Sequence, residues 1–508
     1  MFEKIKFGFR NAVRSWLHVN PSLGYTFTIN ELLDFDSNVQ VNRIWYRGDG
    51  YELKQLYEQL PDNKFSFWGA RQTPGMEIRK IHTGLPKIIV DQLAGLIVAD
   101  MEDIEFKSEA TRMLWEEIAD DNGFTDMVKR SIVECLAYGD GAFKISLQPE
   151  NGYPILEFYP ADNVKLKRKN GRVTEITFLT LYHSKAGTPY TLNEHYGYGY
   201  VNYELKDAEG HTVPLDKLEE TAGLTGVTFD PSFIMAEYMS FYHSSKYAGR
   251  GQSIFDAKRD NFDALDEAWS QWMDALRAGR TKTYIPDTLI PRSENGVIMR
   301  PNSFDNRFIQ TASNMAEGAQ NKIESTTAPI QHDSYCQTYI TALDLCLQGI
   351  ISPSTLGIDV KKLDNAEAQR EKEKTTLYTR QIIVGALQDV LPKFIQDVFN
   401  VMQIVAGDAL EDVEPTVKFG EYANPSFESQ IEAVGKAKTQ GIMSIEACID
   451  ELYGDTQTDE WKKEEVARIK AEAGIMETTE PALNEDVEGF DDTTNTGGLL
   501  NGNEEAAG

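Results

Sequence analysis

The run from Ser253 to Ala406 constrains this chain most. It reads as a helix, a short β insert, a second helix, a loop rich in Ser, Gly and Pro, and one very long helix with a proline inside it. Within Ser253 to Gly279, the residues Phe262, Leu265, Trp269, Trp272 and Leu276 recur three or four apart and so share one face. Asp260, Asp263, Asp266, Glu267 and Asp274 occupy much of the rest. A helix of this length runs to about 40 Å, which suits a strut better than an element of a compact core. Gly279 is placed to end it, with Arg277 and Arg280 near its negative dipole end.

Thr281 to Gln331 carries short strand-like runs, Thr281 to Ile285 before Pro286, Gly296 to Arg300 before Pro301, and Phe308 to Thr311, and is too small to fold alone. His332 to Ile350 returns as a helix with Tyr335, Tyr339, Leu343, Cys346 and Leu347 on one stripe. Two helices flanking a β tip imply an antiparallel hairpin. After the loop from Ile351, Asp364 and Glu367 stand at capping-box spacing and open a helix that Leu377, Val384, Leu387, Leu391, Phe394, Val398 and Val405 carry to about Ala406. Pro392 removes a backbone donor inside it and predicts a kink. No enzyme core needs this order of parts; the wall of an oligomeric channel suits it.

The chain before the hairpin is mixed. Asn30 to Gln59, Pro86 to Asp100, and Ser108 to Gly139 with a break near Gly123 are helix-like, and alternation sets in from Ala142. Asn170-Gly171 marks a tight hairpin turn between Val164 and Val173, whose cations Lys165, Lys167, Arg168, Lys169 and Arg172 read either as a DNA patch or as an ordinary solvated hairpin. Past Ala406, Thr416 to Phe419 reads as a strand, and Pro425 to Gly474 as three short helices separated near Gly441 and Gly454. The fold class is α+β, mainly helical.

His82-Thr-Gly-Leu-Pro86 continuing to Leu96, Phe262 to Asp274, Gly349 to Gly357 with Asn365 to Gln369, and Glu421 to Phe427 resemble segments of the portal proteins of tailed bacteriophages, in the branch with a similarly sized subunit from phages of Gram-positive hosts. The resemblance covers most of the chain from Ile81 to about Gly474. It implies a ring, typically of twelve subunits, at one capsid vertex of the virion, assembled in the host cytoplasm. Double-stranded DNA passes along its axis during packaging and ejection. The parts it implies are a wing (1–252), stem helices (253–280 and 332–350), a clip (281–331), a tunnel loop (351–365), a long kinked helix with a return strand to the wing (366–419), a crown (420–475) and a tail (476–508). Ser352, Ser354, Thr355, Lys361 and Lys362 then face DNA, and Arg292, Arg300 and Arg307 in the clip are the candidates for docking. The implied partners are further copies of the chain, terminase, capsid and scaffolding proteins, and head-completion or adaptor proteins. An adaptor or minor head protein without a conduit role is the alternative.

A net charge of −30 argues against tight nucleic-acid binding, since that affinity comes from Lys and Arg neutralising phosphates. For a conduit the objection reverses, because strong attraction would act as friction. Met476 to Gly508 contributes nine acidic residues with no Lys or Arg, and its composition predicts disorder. No apolar run reaches the roughly 18 residues of a spanning helix, and Met1 to Lys6 does not begin a signal peptide, so no membrane partner is expected. Enzyme signatures fail residue by residue. Gly435-Lys436 is followed by Ala437, which lacks the hydroxyl of a phosphate-binding loop. Asp34 to Asn38 begins like a calcium loop, but Val39 and Trp45 occupy its glycine and bidentate-acid positions. Gly249-Arg250-Gly251 lacks dinucleotide-site spacing and marks the turn into the stem. Cys135, Cys336, Cys346 and Cys448 are far apart and read as reduced. No enzymatic activity, cofactor or metal is expected.

Overall fold

A computed structural model describes residues 31–60, 65–72, 77–147, 152–290, 295, 308–312, 322–327, 329–358, 366–420, 427–453 and 459–472. The protein is α+β, mainly helical, and divides into two units, Met1–Gly420 and Glu421–Gly508.

The first unit opens with α1 (Phe35–Arg47) and α2 (Gly50–Gln59). The single helical stretch read from the sequence breaks at Gly48, whose φ of 71° gives α1 a left-handed C-cap. Asp34, the apparent start of a calcium loop, is the N-cap of α1 and accepts from the Ser37 amide at 2.8 Å. Next come α3 (Leu85–Ala99), α4 (Glu109–Asn122) and α5 (Phe124–Tyr138), the last two separated at Gly123 as the pattern predicts. β1 (Asp140–Ser146) lies between β2 (Ile155–Pro160) and β9 (Ala236–Ser240) in one antiparallel sheet. A second antiparallel sheet runs β3 (Val164–Lys169), β4 (Arg172–His183), β5 (Pro189–Gly197), β6 (Tyr200–Lys206) and β7 (Thr212–Val213), with β8 (Val227–Thr228) also on β6. Asn170 and Gly171 both have positive φ, 52° and 80°, which is the tight β3–β4 turn that the dipeptide predicts.

Then follow α6 (Arg259–Ala278), β10 (Lys282–Pro286), β11 (Phe308–Thr311), β12 (Glu324–Thr326), α7 (His332–Leu347) and α8 (Ala366–Ala406). α6 and α7 are antiparallel. Lys258 reaches the Leu345 carbonyl at 2.8 Å near the start of α6, while Trp269 meets Tyr339 at 5.4 Å and Trp272 meets His332 at 5.7 Å farther along. α6 starts at Arg259, six residues later than Ser253. The intervening backbone is claimed locally: Asp256 accepts from the Ser253 amide at 3.1 Å, and the Ser253 hydroxyl donates to the Ala137 carbonyl at 2.6 Å. In the insert, β10 pairs parallel with β11 and antiparallel with β12; the strand-like run from Gly296 lies outside the described residues.

α8 is one helix of 41 residues with Pro392 inside it. Its C-terminal half joins the core, where Phe143 of β1 sits 4.9 Å from Phe158 of β2 and 4.8 Å from Phe394. Burying side chains of this size contributes about 2–3 kcal/mol each. The Thr416 to Phe419 stretch forms bridges only at Thr416 with Glu105 and Phe419 with Met101, because its partner is the short connection after α3 rather than a full strand.

The second unit contains α9 (Phe427–Thr439), α10 (Ile445–Tyr453) and α11 (Asp459–Glu472), in the three-helix order read from the sequence. Tyr453 packs on Trp461 at 5.2 Å, and Lys470 pairs with Glu446 at 2.7 Å, which fastens α10 to α11. The acidic stretch from Met476 lies outside the described residues. All four cysteines are free, with Cys336 half-buried and the others buried. Among the described residues no helix is long and apolar enough to cross a membrane.

Candidate functional site

The α6–α7 hairpin is held at one end by acids that the sequence pattern placed outside the apolar stripe. Asp263 and Asp266 stand one helical turn apart on α6 and both are buried. Asp263 accepts the backbone amides of Phe67 at 2.6 Å and Trp68 at 3.1 Å. Asp266, wholly buried, accepts from the Trp68 indole at 3.0 Å, the Thr83 amide at 2.9 Å and the Thr83 hydroxyl at 3.0 Å, and pairs with His82 Nδ1 at 2.6 Å. Burial pushes the Asp263 carboxyl up to about 6, although its two amide partners pull the other way. The Phe67-Trp68 turn and His82-Thr83 supply the donors, so the aspartates act as receptors for two loops and not as a solvated face.

A second fastening lies just before α6. Asp256 Oδ1 accepts from the side-chain amides of Asn38 and Asn42, each at 3.0 Å, and from Arg259 at 2.8 Å. Arg250 forks onto Asp140 at 3.0 and 2.7 Å, and the Gly251 amide adds a third bond at 2.7 Å. A Cβ at Gly251 would lie 2.1 Å from the Gly139 carbonyl oxygen, so only glycine fits there. Gly249-Arg250-Gly251 is thus a clamp that fixes the chain just before α6 to Asp140 at the start of β1.

The loop after α7 is pinned to α8. The Ser352 amide donates to Thr376 Oγ1 at 2.9 Å, the Thr355 and Thr376 hydroxyls meet at 3.0 Å, and Thr379 donates to the Ile350 carbonyl at 2.7 Å. Ser352 is 1% exposed and its hydroxyl pairs with that of Ser354 at 2.6 Å, so of the three hydroxyl residues singled out in the loop it serves as an anchor. Ser354 is exposed and Thr355 half-buried. Lys361, Lys362, Arg292, Arg300 and Arg307 lie outside the described residues.

Farther along α8, Arg380 is buried and bonds Asp100 at 3.0 Å, fixing the helix to the end of α3. Pro392 borders a groove of about 430 Å³ together with Lys393, Asp397, Glu237 and Tyr198. Burial, reinforced by the nearby Glu237, pushes the Asp397 carboxyl up to about 8 against the opposing bond from Asn400, and burial pushes Glu237 up to about 7 against Lys393. Both acids therefore hold protons in the folded chain that they release when unfolded. The unfolded chain sheds the Asp397 proton near pH 4 and the folded one near pH 8, so stability falls as pH rises through that window. Asp397→Asn is expected to match the parent below about pH 4 and to exceed it at pH 8 by on the order of 2 kcal/mol or more. Melting temperatures at the two pH values check this; an equal loss at both would show that the carboxyl stabilises the groove.

Periodicity could not reveal these acids, because a helical wheel assigns charge to the solvent side. A usable signal was the clustering of buried-type donors, Trp68 and His82-Thr83, near glycines.

No protein-family model and no curated protein matches the chain. Among solved structures it is similar to a chain of the virion of a native gene transfer agent particle, with a TM-score of 0.36, 13% identity, and coverage of 85% of this chain and 93% of that one. It is similar to a chain in the neck of the native particle computed with C12 symmetry, with a TM-score of 0.38 and 12% identity over 72% of this chain and 90% of that one. The neck of the empty particle computed with C6 symmetry gives 0.38 and 13% over 85% and 93%. At these scores the likeness carries no functional weight.

Proposed function

We propose that the chain is the subunit of a portal ring at one vertex of a virus-like capsid, the conduit for double-stranded DNA and the platform on which a packaging terminase and head-completion proteins dock. The observation that carries this reading is the order within one unit: an antiparallel helix hairpin with a small β tip, a loop pinned at its root, and a 41-residue helix that returns from the loop into the core. A helix of about 60 Å exceeds what a compact core of this size contains, and a ring wall accommodates it. Four segments of the chain resemble portal proteins. Two of them, His82 to Leu96 and Phe262 to Asp274, meet through the bonds of Asp266 to His82 and Thr83.

In this reading Lys361, Lys362, Ser354 and Thr355 face passing phosphates, while Arg292, Arg300 and Arg307 meet docking proteins at the clip. Pro392 bends α8 so that its first half follows the tunnel loop while its second half stays in the core. Hydrolysis of ATP belongs to the separate terminase, and the chain acts without enzymatic chemistry or cofactor. Negative-stain microscopy of the purified protein is expected to show closed rings, twelvefold or near it, with an axial hole of duplex width. Monomers or open arcs would instead favour an adaptor or minor head protein.

A further inference from the structure

The β3–β4 hairpin carries five cations within Lys165 to Arg172 on a chain whose net charge is −30. β3 is an edge strand, bonded within the sheet only to β4. Its alternation sorts the side chains. Leu166 faces the core, and Arg168, on the same side, lies 5.1 Å over the Tyr238 ring and donates to the Gly171 carbonyl at 3.2 Å. Lys165, Lys167 and Lys169 share the opposite face with Thr177, Glu175 and Arg172, their cross-strand partners. All three lysines and Arg172 are exposed, and Lys167 pairs with Glu175 at 3.5 Å. Lys165, Lys169 and Arg172 make no ion pair among the described residues. A bulge between Lys167 and Arg168 puts the extra residue, Thr174, on β4, so the lysine side of β3 keeps its period of two.

From this geometry we infer that the β3–β4 hairpin is a second, sequence-independent contact for the phosphate backbone of double-stranded DNA, separate from the loop after α7. Alternate residues of a strand are about 6.6 Å apart, so the three ammonium groups form a straight row spanning about 13 Å. A small anion engages one or two members of such a row. A duplex strand, with a charge every 3.4 Å along its axis, engages all of them. Side chains stand perpendicular to the sheet, so the row faces a partner lying across the sheet and not a peptide strand added at its edge. Contacts of this kind position without reading sequence. On a chain of net charge −30 they hold weakly, as a guide for a moving duplex must.

The inference rests on the reading that DNA is a partner of this chain, but not on the tunnel loop. The test measures binding of a short fluorescent duplex by anisotropy from 50 to 200 mM salt, using the full chain, K165Q/K167Q/K169Q, K165R/K167R/K169R and a K361Q/K362Q control. The glutamine variant is expected to bind on the order of tenfold more weakly at the lowest salt, with its logarithmic salt slope reduced by about 2.5. The arginine variant should bind like the parent, which separates charge from folding. A glutamine variant that merely aggregates while keeping the parental affinity and slope overturns the inference, because the lysines would then only guard a strand edge. Loss of binding in the loop control alone overturns it too, yet leaves the portal reading intact. Polyglutamate displacing the duplex at equal charge points to an acidic protein partner and counts against it. If no form binds DNA the inference fails, and the ring image still decides the portal reading by itself.

Discussion

Replacing Asp266 by alanine is expected to release the Trp68 indole and the His82-Thr83 segment from α6 and to give the largest loss of stability of any single substitution considered for this chain. The carboxylate is wholly buried and is the acceptor for the Trp68 indole, the Thr83 amide and the Thr83 hydroxyl, with His82 Nδ1 as its fourth partner. Its removal leaves those donors buried with no water to replace it. Bonds to a charged acceptor contribute about 1.5–3 kcal/mol each, and a stranded donor adds its own desolvation cost, so a loss on the order of 4 kcal/mol is expected. His82 compounds the effect, since among the described residues its Nε2 has no hydrogen-bond partner and Nδ1 alone holds the ring. Asp266→Asn keeps one acceptor oxygen but turns an amide toward donors, and should fall between alanine and the parent. Hydrogen exchange reads the effect locally: the Thr83 amide should lose about two to three powers of ten in protection, along with the neighbouring Phe67 and Trp68 amides held by Asp263. An alanine variant with parental protection at Thr83 would sink the assignment of Asp266 as the stem's anchor.

The elements of this fold were legible where one period dominates. α7 presents Leu343, Cys346 and Leu347 to the core as its stripe predicts, and the Asn170-Gly171 turn and the break at Gly123 follow from local conformation alone. Order along the chain was legible for the same reason, because the hairpin, its tip and the long helix each announce themselves locally. What escaped was which charges point inward. Asp263, Asp266 and Asp256 sit on or beside a helix full of acids, and only the distant Phe67-Trp68, His82-Thr83 and Asn38/Asn42 decide that the first two are buried and the third is bonded at half-burial, while Asp260 stays exposed. The start of α6 was misplaced by the same hidden partners, since Ser253 and Asp256 spend their bonds on α1 and α5. Ser352 was read as a contact for a ligand because serines in a loop are generic donors; its tie to Ser354 and the backbone tie to Thr376 need α8 in place to be seen.

Reversing Lys361 and Lys362 to glutamate is expected to cut packaged DNA on the order of tenfold while leaving rings and subunit fold intact, because like charge facing a duplex raises the barrier to its passage. The described part of the loop, up to Ile358, is fixed to α8: the Ser352 amide, Thr355 and the Ile350 carbonyl are tied to Thr376 and Thr379. In a chain with 80 acids against 50 bases, two lysines adjacent in sequence are, in the proposed portal reading, a local positive charge offered to a polyanion in the channel. Lys→Gln at both positions should lower the yield less than Lys→Glu, which distinguishes lost attraction from added repulsion. Alanine at Arg292, Arg300 and Arg307 gives the complementary result if the clip docks terminase: weaker capture of terminase in a pull-down, with the loop charge untouched. Packaging yield equal to the parent in the Lys→Glu form, with rings confirmed by microscopy, would remove the loop from the DNA path. The portal reading would then rest on the shape of the ring, and DNA contact on the β3–β4 hairpin alone.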